Sequence, residues 1–259
     1  MVTARSIPLD APLYQINAER GAEYWNCSAV AGIFTVEGDV TDLIPEGLMV
    51  ASTPSVGMVF VADYGASTLG PYKEFVSFIQ VKDDKDNIGL YIPYIYVTND
   101  VALASGREVL GAPKKMADIS IDKSTNVIVG ELNRPSNLPL VKVTTSPVDR
   151  VDPILLDALL PKDAYFYSLR YLPGPPGGTT VSELVAWKSE MAFHKDAFGD
   201  QIQFMGPGSV TYPFESPQDP VSRLKVGTML ATAYMEFDLR LKPGHIVNSK
   251  VTKEVEAVV

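Results

Sequence analysis

The sequence predicts a mainly β (α+β) fold, an antiparallel β-barrel with a few short helices, and three observations carry that expectation. Nine stretches alternate apolar and polar residues with a period of two, several of their connections have hairpin length, and few segments carry helix-start signals. Val59–Tyr64, Glu74–Lys82 and Gly89–Val97 come first, rich in β-branched and aromatic residues. Asp83–Asn87 between the last two is too short for a crossover helix, so these strands pair antiparallel. Asp100–Leu110 reads as a short helix. Met116–Ile121 and Asn126–Leu132 are joined by the polar turn Asp122–Thr125, and Leu138–Thr144 follows. A helix is predicted over Asp152–Leu160: Asp152 caps, Pro153 suits the first turn, leucines cover one face and Pro161 stops it. Tyr165–Leu172 and Thr180–Ala186 are strands, Asp219-Pro220 opens a short helix through Arg223 and Leu224, and Met229–Leu241 is the last strand. Closure into a barrel would seal the edges of so many strands. Proline and glycine are dispersed and no repeat is visible, so residues 1–259 are expected to form one domain.

Composition narrows the chemistry. With 22 Lys and Arg against 31 Asp and Glu, the net charge is −9, the wrong sign for neutralising phosphates or anionic lipid. Nucleic acid and membrane surfaces are therefore not expected partners. No apolar run approaches the roughly 20 residues of a membrane span, and the first residues lack the apolar core of a secretory signal, so a cytoplasmic location is expected. The lone Cys27 precludes an intrachain disulfide and a cysteine-cluster metal site. His194 and His245 lie far apart and outside any zinc-hydrolase spacing, no metal site is expected, and no GxSxG elbow supports a serine hydrolase. Pro173–Gly178 has neither Walker nor dinucleotide-binding spacing.

The segment Asn99–Met116 ends in two adjacent lysines, Lys114 and Lys115, set among Ala112, Pro113, Met116 and Ala117. A free lysine has a pKa of about 10.4, so only about one amine in two thousand is neutral at pH 7. Lowering that pKa by about 4 units corresponds to about 5 kcal/mol, which burial can supply, and the neutral amine can attack a ketone to form an imine. On an extended chain the two side chains point to opposite sides, so only one can enter a pocket. An ordinary solvated lysine pair at a strand start is the competing reading of the same residues.

Gly106-Arg107-Glu108 followed by Pro113-Lys114-Lys115 resembles the GRE…PKK signature of acetoacetate decarboxylase and its superfamily relatives. The resemblance extends to Tyr96–Asp100, to Leu69-Gly70-Pro71-Tyr72-Lys73-Glu74, to Tyr165–Leu172 with Ser182-Glu183-Leu184, and to Gly206-Pro207, and so covers most of the chain. It implies an acetoacetate decarboxylase-like antiparallel β-barrel, a cofactor-free lyase, a small oxo acid as substrate and a homo-oligomer. By the same resemblance Lys114 is the Schiff-base lysine, Lys115 its charged companion and Glu74 the active-site carboxylate, with Tyr96 also shared. Arg107 and Glu108 are expected either to orient the lysine loop as a buried pair or to be a solvated helix-end pair. Tyr94, Tyr234 and Glu236 are candidate substrate-binding residues, with ordinary packing or exposure as the alternative.

The pattern breaks at one place. The family's arginine before the Glu-Tyr pair is Ala22 here, ahead of Glu23-Tyr24, and its second pocket glutamate has no counterpart near Val59, Phe60 and Val61. Loss of both partners together reads as a rebuilt pocket, since loss of one would strand a buried charge. Diverged members of the superfamily act as aldolase-dehydratases. The sequence therefore places a pyruvate aldolase-dehydratase or 2-oxo-enoate hydratase first, with an aldehyde as candidate co-substrate. A 3-oxo acid decarboxylase comes second, and a non-catalytic carbonyl-binding barrel third.

Overall fold

The computed structural model describes residues 19–152, 164–174 and 179–251. Its strands run β1 (Ala22–Val36), β2 (Met49–Val50), β3 (Val56–Ser67), β4 (Tyr72–Lys82), β5 (Ile88–Tyr91), β6 (Ile95–Val97), β7 (Lys114–Met116), β8 (Asp118–Asp122) and β9 (Ile128–Asn133). They continue as β10 (Pro139–Thr145), β11 (Asp149–Arg150), β12 (Tyr165–Pro173), β13 (Thr179–Trp187), β14 (Ser189–Phe193), β15 (Gln203–Met205), β16 (Gly208–Thr211), β17 (Val226–Leu241) and β18 (His245–Val251). Helix α1 (Asp100–Ser105) passes directly into a π-helical turn, Gly106–Leu110, and single 3-10 turns cover Thr41–Leu43 and Val221–Arg223. Asn99 caps α1, its side-chain oxygen accepting from the Ala102 N–H at 3.1 Å. The helix expected after Asp152 falls on residues 153–160, outside the described residues.

Two sheets hold these strands. A 14-stranded sheet has the backbone order β11-β15-β17-β1-β3-β4-β5-β12-β13-β18, with β14 beside β17, β2 and β6 beside β4, and β7 beside β6; a 4-stranded sheet has the order β16-β10-β9-β8. Pairing is antiparallel except for β5 with β12 and β6 with β7. The mainly β class with a few short helices is as expected, whereas in place of a closed or nearly closed barrel the described residues form a mixed sheet with a second sheet on one face. Closure would need the terminal strands to pair, whereas here β11 is a two-residue, exposed edge that offers little to pair with.

The long strand β1 lies at the centre and was not among the nine predicted. Its neighbours β3 and β17 flank it, and six consecutive residues, Cys27–Gly32, are buried, so small residues replace the polar half of the alternation. Gly89–Val97 divides into β5 and β6 around Pro93, which has no N–H to give to a ladder, and Met116–Ile121 divides between β7 and β8.

Between the two sheets, Val30, Val61, Phe75 and Tyr96 of the large sheet meet Ile119, Leu132, Val141 and Val143 of the small one. The other face of the large sheet carries Ala29, Ala62, Tyr64, Tyr72 and Val97 under α1. This second face holds the lysine. Burial of a large aliphatic or aromatic side chain stabilises by about 1.5–3 kcal/mol. Leu132 is fully buried between the sheets, so Leu132→Ala is expected to cost about 2–5 kcal/mol, read as a lower urea midpoint at unchanged slope. Lys142→Ala removes a half-exposed pair with Glu131 (3.1 Å) and should cost less than about 1 kcal/mol in the same assay.

Candidate active site

Strand register decides which side chains meet. β4 pairs with β6 through Glu74 and Val97, and β6 pairs with β7 through Ile95 and Lys114. Because successive residues alternate faces, Glu74, Val97, Ile95 and Lys114 share one face while Phe75, Tyr96 and Lys115 share the other. Lys114 and Glu74 are 7% and 8% exposed, and the ammonium Nζ donates to Glu74 Oε2 at 2.7 Å. Charges this deep persist when paired and hydrogen-bonded.

Three phenols adjoin the pair. Tyr64 donates to Glu74 Oε1 at 3.1 Å, the Lys114 ammonium sits 5.6 Å from the Tyr72 ring centroid, and Tyr72 donates to the Tyr24 hydroxyl at 3.5 Å. Burial, reinforced by the Glu74 charge, holds all three hydroxyls above the usual tyrosine range, so they remain protonated donors. Sequence reasoning did not single them out as site residues. The available signal was the two-residue spacing of Tyr72 and Glu74, which puts them on one face.

The π turn packs against the Lys114 side chain. A Cβ on Gly106 would lie 2.5 Å from Lys114 Cδ and 2.6 Å from Cε, so the lysine stem occupies the space that only glycine leaves. The Ala112 N–H donates to the Gly106 carbonyl at 3.0 Å and the Lys114 N–H to the Ala112 carbonyl at 2.7 Å. Arg107 and Glu108 do not form the buried pair considered above, because this turn points Arg107 outward. Arg107 is exposed and its guanidinium donates to the Lys114 carbonyl at 3.3 Å, while the half-buried Glu108 offers its carbonyl to Arg170 at 2.7 Å.

Lys115 engages the opposite face. Its ammonium donates to Asp219 Oδ1 at 2.8 Å and to the Gln218 carbonyl at 2.6 Å, and Asp219 also accepts from Tyr96 at 3.1 Å and from Arg134 Nε at 3.1 and 3.2 Å. Burial pushes the Asp219 carboxyl up, but Lys115, Tyr96 and Arg134 outweigh it and leave it below the usual range. Asp219 had been read only as a helix-start residue, and its separation from Lys115 by 104 positions left no local signal.

Three substrate-binding candidates are also placed away from Lys114, a correction with one cause. Tyr94, Tyr234 and Glu236 were assigned from same-strand parity, which says nothing about which face holds the lysine. Tyr234 pairs with Val30, Val30 with Val61, and Val61 with Phe75, so Tyr234 and Glu236 lie on the face opposite Glu74. There Lys123 donates to Tyr234 at 3.2 Å and Tyr234 to Glu236 at 2.5 Å. Tyr94 lies between β5 and β6, its hydroxyl raised mainly by burial and opposed by Arg223.

Beside the Lys114–Glu74 pair the face is apolar. Ala62 pairs with Glu74, Ala29 pairs with Ala62, and the rings of Phe60 and Phe237 approach to 6.1 Å between centroids.

Residues 7–251 match the family described as Acetoacetate decarboxylase (ADC). The chain belongs to the acetoacetate decarboxylase family. Acetoacetate decarboxylase 1 of Bradyrhizobium diazoefficiens is 27% identical over 97% of this chain and 95% of its own. Decarboxylase DEC1 of Cochliobolus heterostrophus is 26% identical over 88% of both. The fold is shared with a structure described as acetoacetate decarboxylase (TM-score 0.82, 20% identity, 95% of this chain and 96% of that one). It is shared too with the enduracididine biosynthesis enzyme MppR, solved with a condensation product of pyruvate and imidazole 4-carboxaldehyde (TM-score 0.71, 16% identity, 88% and 89%). The homologues are enzymes, and the lysine segment read from the sequence belongs to this family.

Two outcomes follow from the geometry. Gly106→Ala drives a methyl group into the Lys114 stem, so Lys114 labelling by an amine reagent should change by about ten-fold or more while the melting temperature falls by less than for Leu132→Ala. The three phenols titrate above their unfolded value of 10.0 in the native chain. Their contribution to stability is therefore complete below pH 10.0 and is lost as pH rises above it. Absorbance at 295 nm should show these phenols ionising together with alkaline unfolding, and ionisation in a still-native chain would contradict their burial.

Proposed function

We propose that the chain is a cofactor-free lyase that forms an imine between Lys114 and a small oxo acid and decarboxylates a 3-oxo acid. The observation that carries it is the buried 2.7 Å contact of Lys114 with Glu74 beside the phenols Tyr64 and Tyr72. Glu74 accepts a proton from the Lys114 ammonium, and the freed amine attacks the ketone carbon, forming the C–N bond. The carbonyl oxygen, protonated to a hydroxyl, leaves as water with the proton returned by Glu74, and a protonated imine remains. The C–CO₂ bond then breaks, its electron pair neutralises the iminium, and CO₂ and an enamine result. Carbon protonation and addition of water release the ketone and restore Lys114.

The apolar surroundings reverse the order expected from the sequence. Decarboxylation converts an iminium and a carboxylate into two neutral species, and a low-dielectric wall such as Ala62, Ala29, Phe60 and Phe237 favours loss of charge. Relatives that align over most of the chain carry decarboxylase names. The second reading, pyruvate aldol-dehydration or 2-oxo-enoate hydration, is favoured by the Tyr64–Glu74 hydrogen bond, since these reactions need more proton transfers than decarboxylation.

Borohydride treatment with acetoacetate, a longer 3-oxo acid and pyruvate, followed by intact-mass and peptide mapping, tests the reading. An adduct on Lys114 that is absent from Lys114→Ala is expected, together with CO₂ release from a 3-oxo acid. Glu74→Gln is expected to lower kcat by about 10²–10⁴-fold. An adduct with pyruvate but no CO₂ would favour the second reading. Absence of any adduct would reduce the site to carbonyl binding without turnover.

A further inference from the structure

On the same face as Lys114, strands β12 and β13 present a second, half-buried charge pair that the proposed chemistry does not use. Arg170 Nη1 donates to Glu183 Oε2 at 2.7 Å, with the two side chains 27% and 10% exposed, and Ser249 donates to Glu183 Oε1 at 3.5 Å. A second nitrogen of the guanidinium serves the backbone: Arg170 Nε donates to the Glu108 carbonyl at 2.7 Å, in the middle of the π turn. Two further contacts fasten that turn to β12. The Ser168 hydroxyl donates to the Leu110 carbonyl, and Gly111, with φ of 76°, lies so close that a Cβ would stand 2.4 Å from the Arg170 Cα and N. The turn is thus tied to β12 through Glu108, Leu110 and Gly111, while its first residue, Gly106, bears on the Lys114 stem.

We propose that Arg170, held by Glu183, is a positioning residue for Lys114: it seats the Gly106–Leu110 turn on β12 and so keeps the lysine stem against Gly106 and its ammonium on Glu74. This rests on the reading of Lys114 as the reacting amine. The turn ends the helix, where the last carbonyls have no intrahelical donors, so the external donors on Glu108 and Leu110 fix its position. Arg170 is suited to this because its planar fork serves a carboxylate and a carbonyl at once, which a lysine at that position cannot do in the same geometry. Arg170 acts through the turn, not on substrate.

The full chain is tested without relying on turnover. Competitive acetylation with trace acetic anhydride, mapped by mass spectrometry from pH 6 to 11, reports the reactivity of each lysine. In Arg170→Ala, Lys114 labelling at neutral pH is expected to change by about ten-fold or more, with a displaced pH profile, because the stem loses its fixed position. Lys115, held by Asp219 on the other face, should stay within about two-fold, the scatter of a context-dependent site. Arg170→Lys should restore part of the wild-type profile, and Glu183→Gln, which keeps an acceptor for Arg170, should fall between. Should Arg170→Ala not fold, these two variants carry the comparison. Unchanged Lys114 labelling in a folded variant overturns the proposal, as does an equal change at Lys115 and Lys73, which would mean general loosening. Borohydride trapping in parallel separates the two readings. A wild-type chain that forms no adduct but whose Lys114 labelling responds to Arg170 keeps the positioning role and loses the imine. An adduct forming at the wild-type rate in Arg170→Ala keeps the imine and loses the positioning role.

Discussion

The ion pair between Lys114 and Glu74 is the constraint on which the surrounding structure depends. Two charges removed from water incur several kcal/mol each, and removal of one partner from such a pair typically costs about 3–5 kcal/mol because the other is stranded. The pocket answers this with three elements. The parallel pairing of β6 and β7 brings Lys114 to the face of Glu74, Tyr64 supplies the second hydrogen bond to the carboxylate, and Gly106 vacates the space that the lysine stem fills. Small residues alongside, Ala29 and Ala62, follow from the same demand, since large side chains there would compete for the space above the pair.

Alternation along β7 resolves what two adjacent lysines do. Lys114 enters the buried pair, and Lys115 crosses to the opposite face, where it donates to Asp219 and to the Gln218 carbonyl, with Tyr96 donating to the same Asp219 oxygen. The charge of Lys115 is thereby engaged away from Lys114. What surrounds the nucleophile is instead a carboxylate and phenols kept protonated by burial and by that carboxylate. A backbone period of two thus separates a binding anchor from a reactive amine that are neighbours in the chain.

How much of this was legible follows from how local each signal is. The lysine segment, its helix Asp100–Ser105 and Glu74 were readable because motif, cap and alternation are properties of short windows. The opposite orientation of the two lysines was readable from the same alternation. Strand β1 was not, because a strand covered on both faces by small residues has no polar half to alternate with. Tyr234 and Glu236 were placed on a common face correctly, yet which face meets the lysine depends on pairing through three strands, from Tyr234 to Val30 to Val61 to Phe75. Asp219 and Arg170 reach the lysine segment across 104 and 62 positions, distances over which neither period nor motif speaks. The open sheet in place of a closed barrel is a statement about the two ends of a strand order, and composition is silent about ends.

Charge balance in the pocket bears on which reaction the lysine serves. Before substrate enters, Lys114 and Glu74 neutralise each other. Under the proposed chemistry an oxo acid would bring a second carboxylate, and imine formation would leave one cation, the iminium, facing the substrate anion and Glu74. Arg170, on the same face, is already engaged by Glu183, and the position that carries arginine in the family is Ala22 here. The surplus negative charge is then costly in proportion to the low dielectric of Ala29, Ala62, Phe60 and Phe237. Loss of CO₂ cancels the substrate carboxylate against the iminium, which leaves the net charge unchanged but reduces the number of separate charges to be held in a low dielectric, whereas aldol addition retains the carboxylate through every later step. Under the proposed imine chemistry, the apolar side chains beside Lys114 and Glu74 therefore favour the reaction that ends with fewer charges.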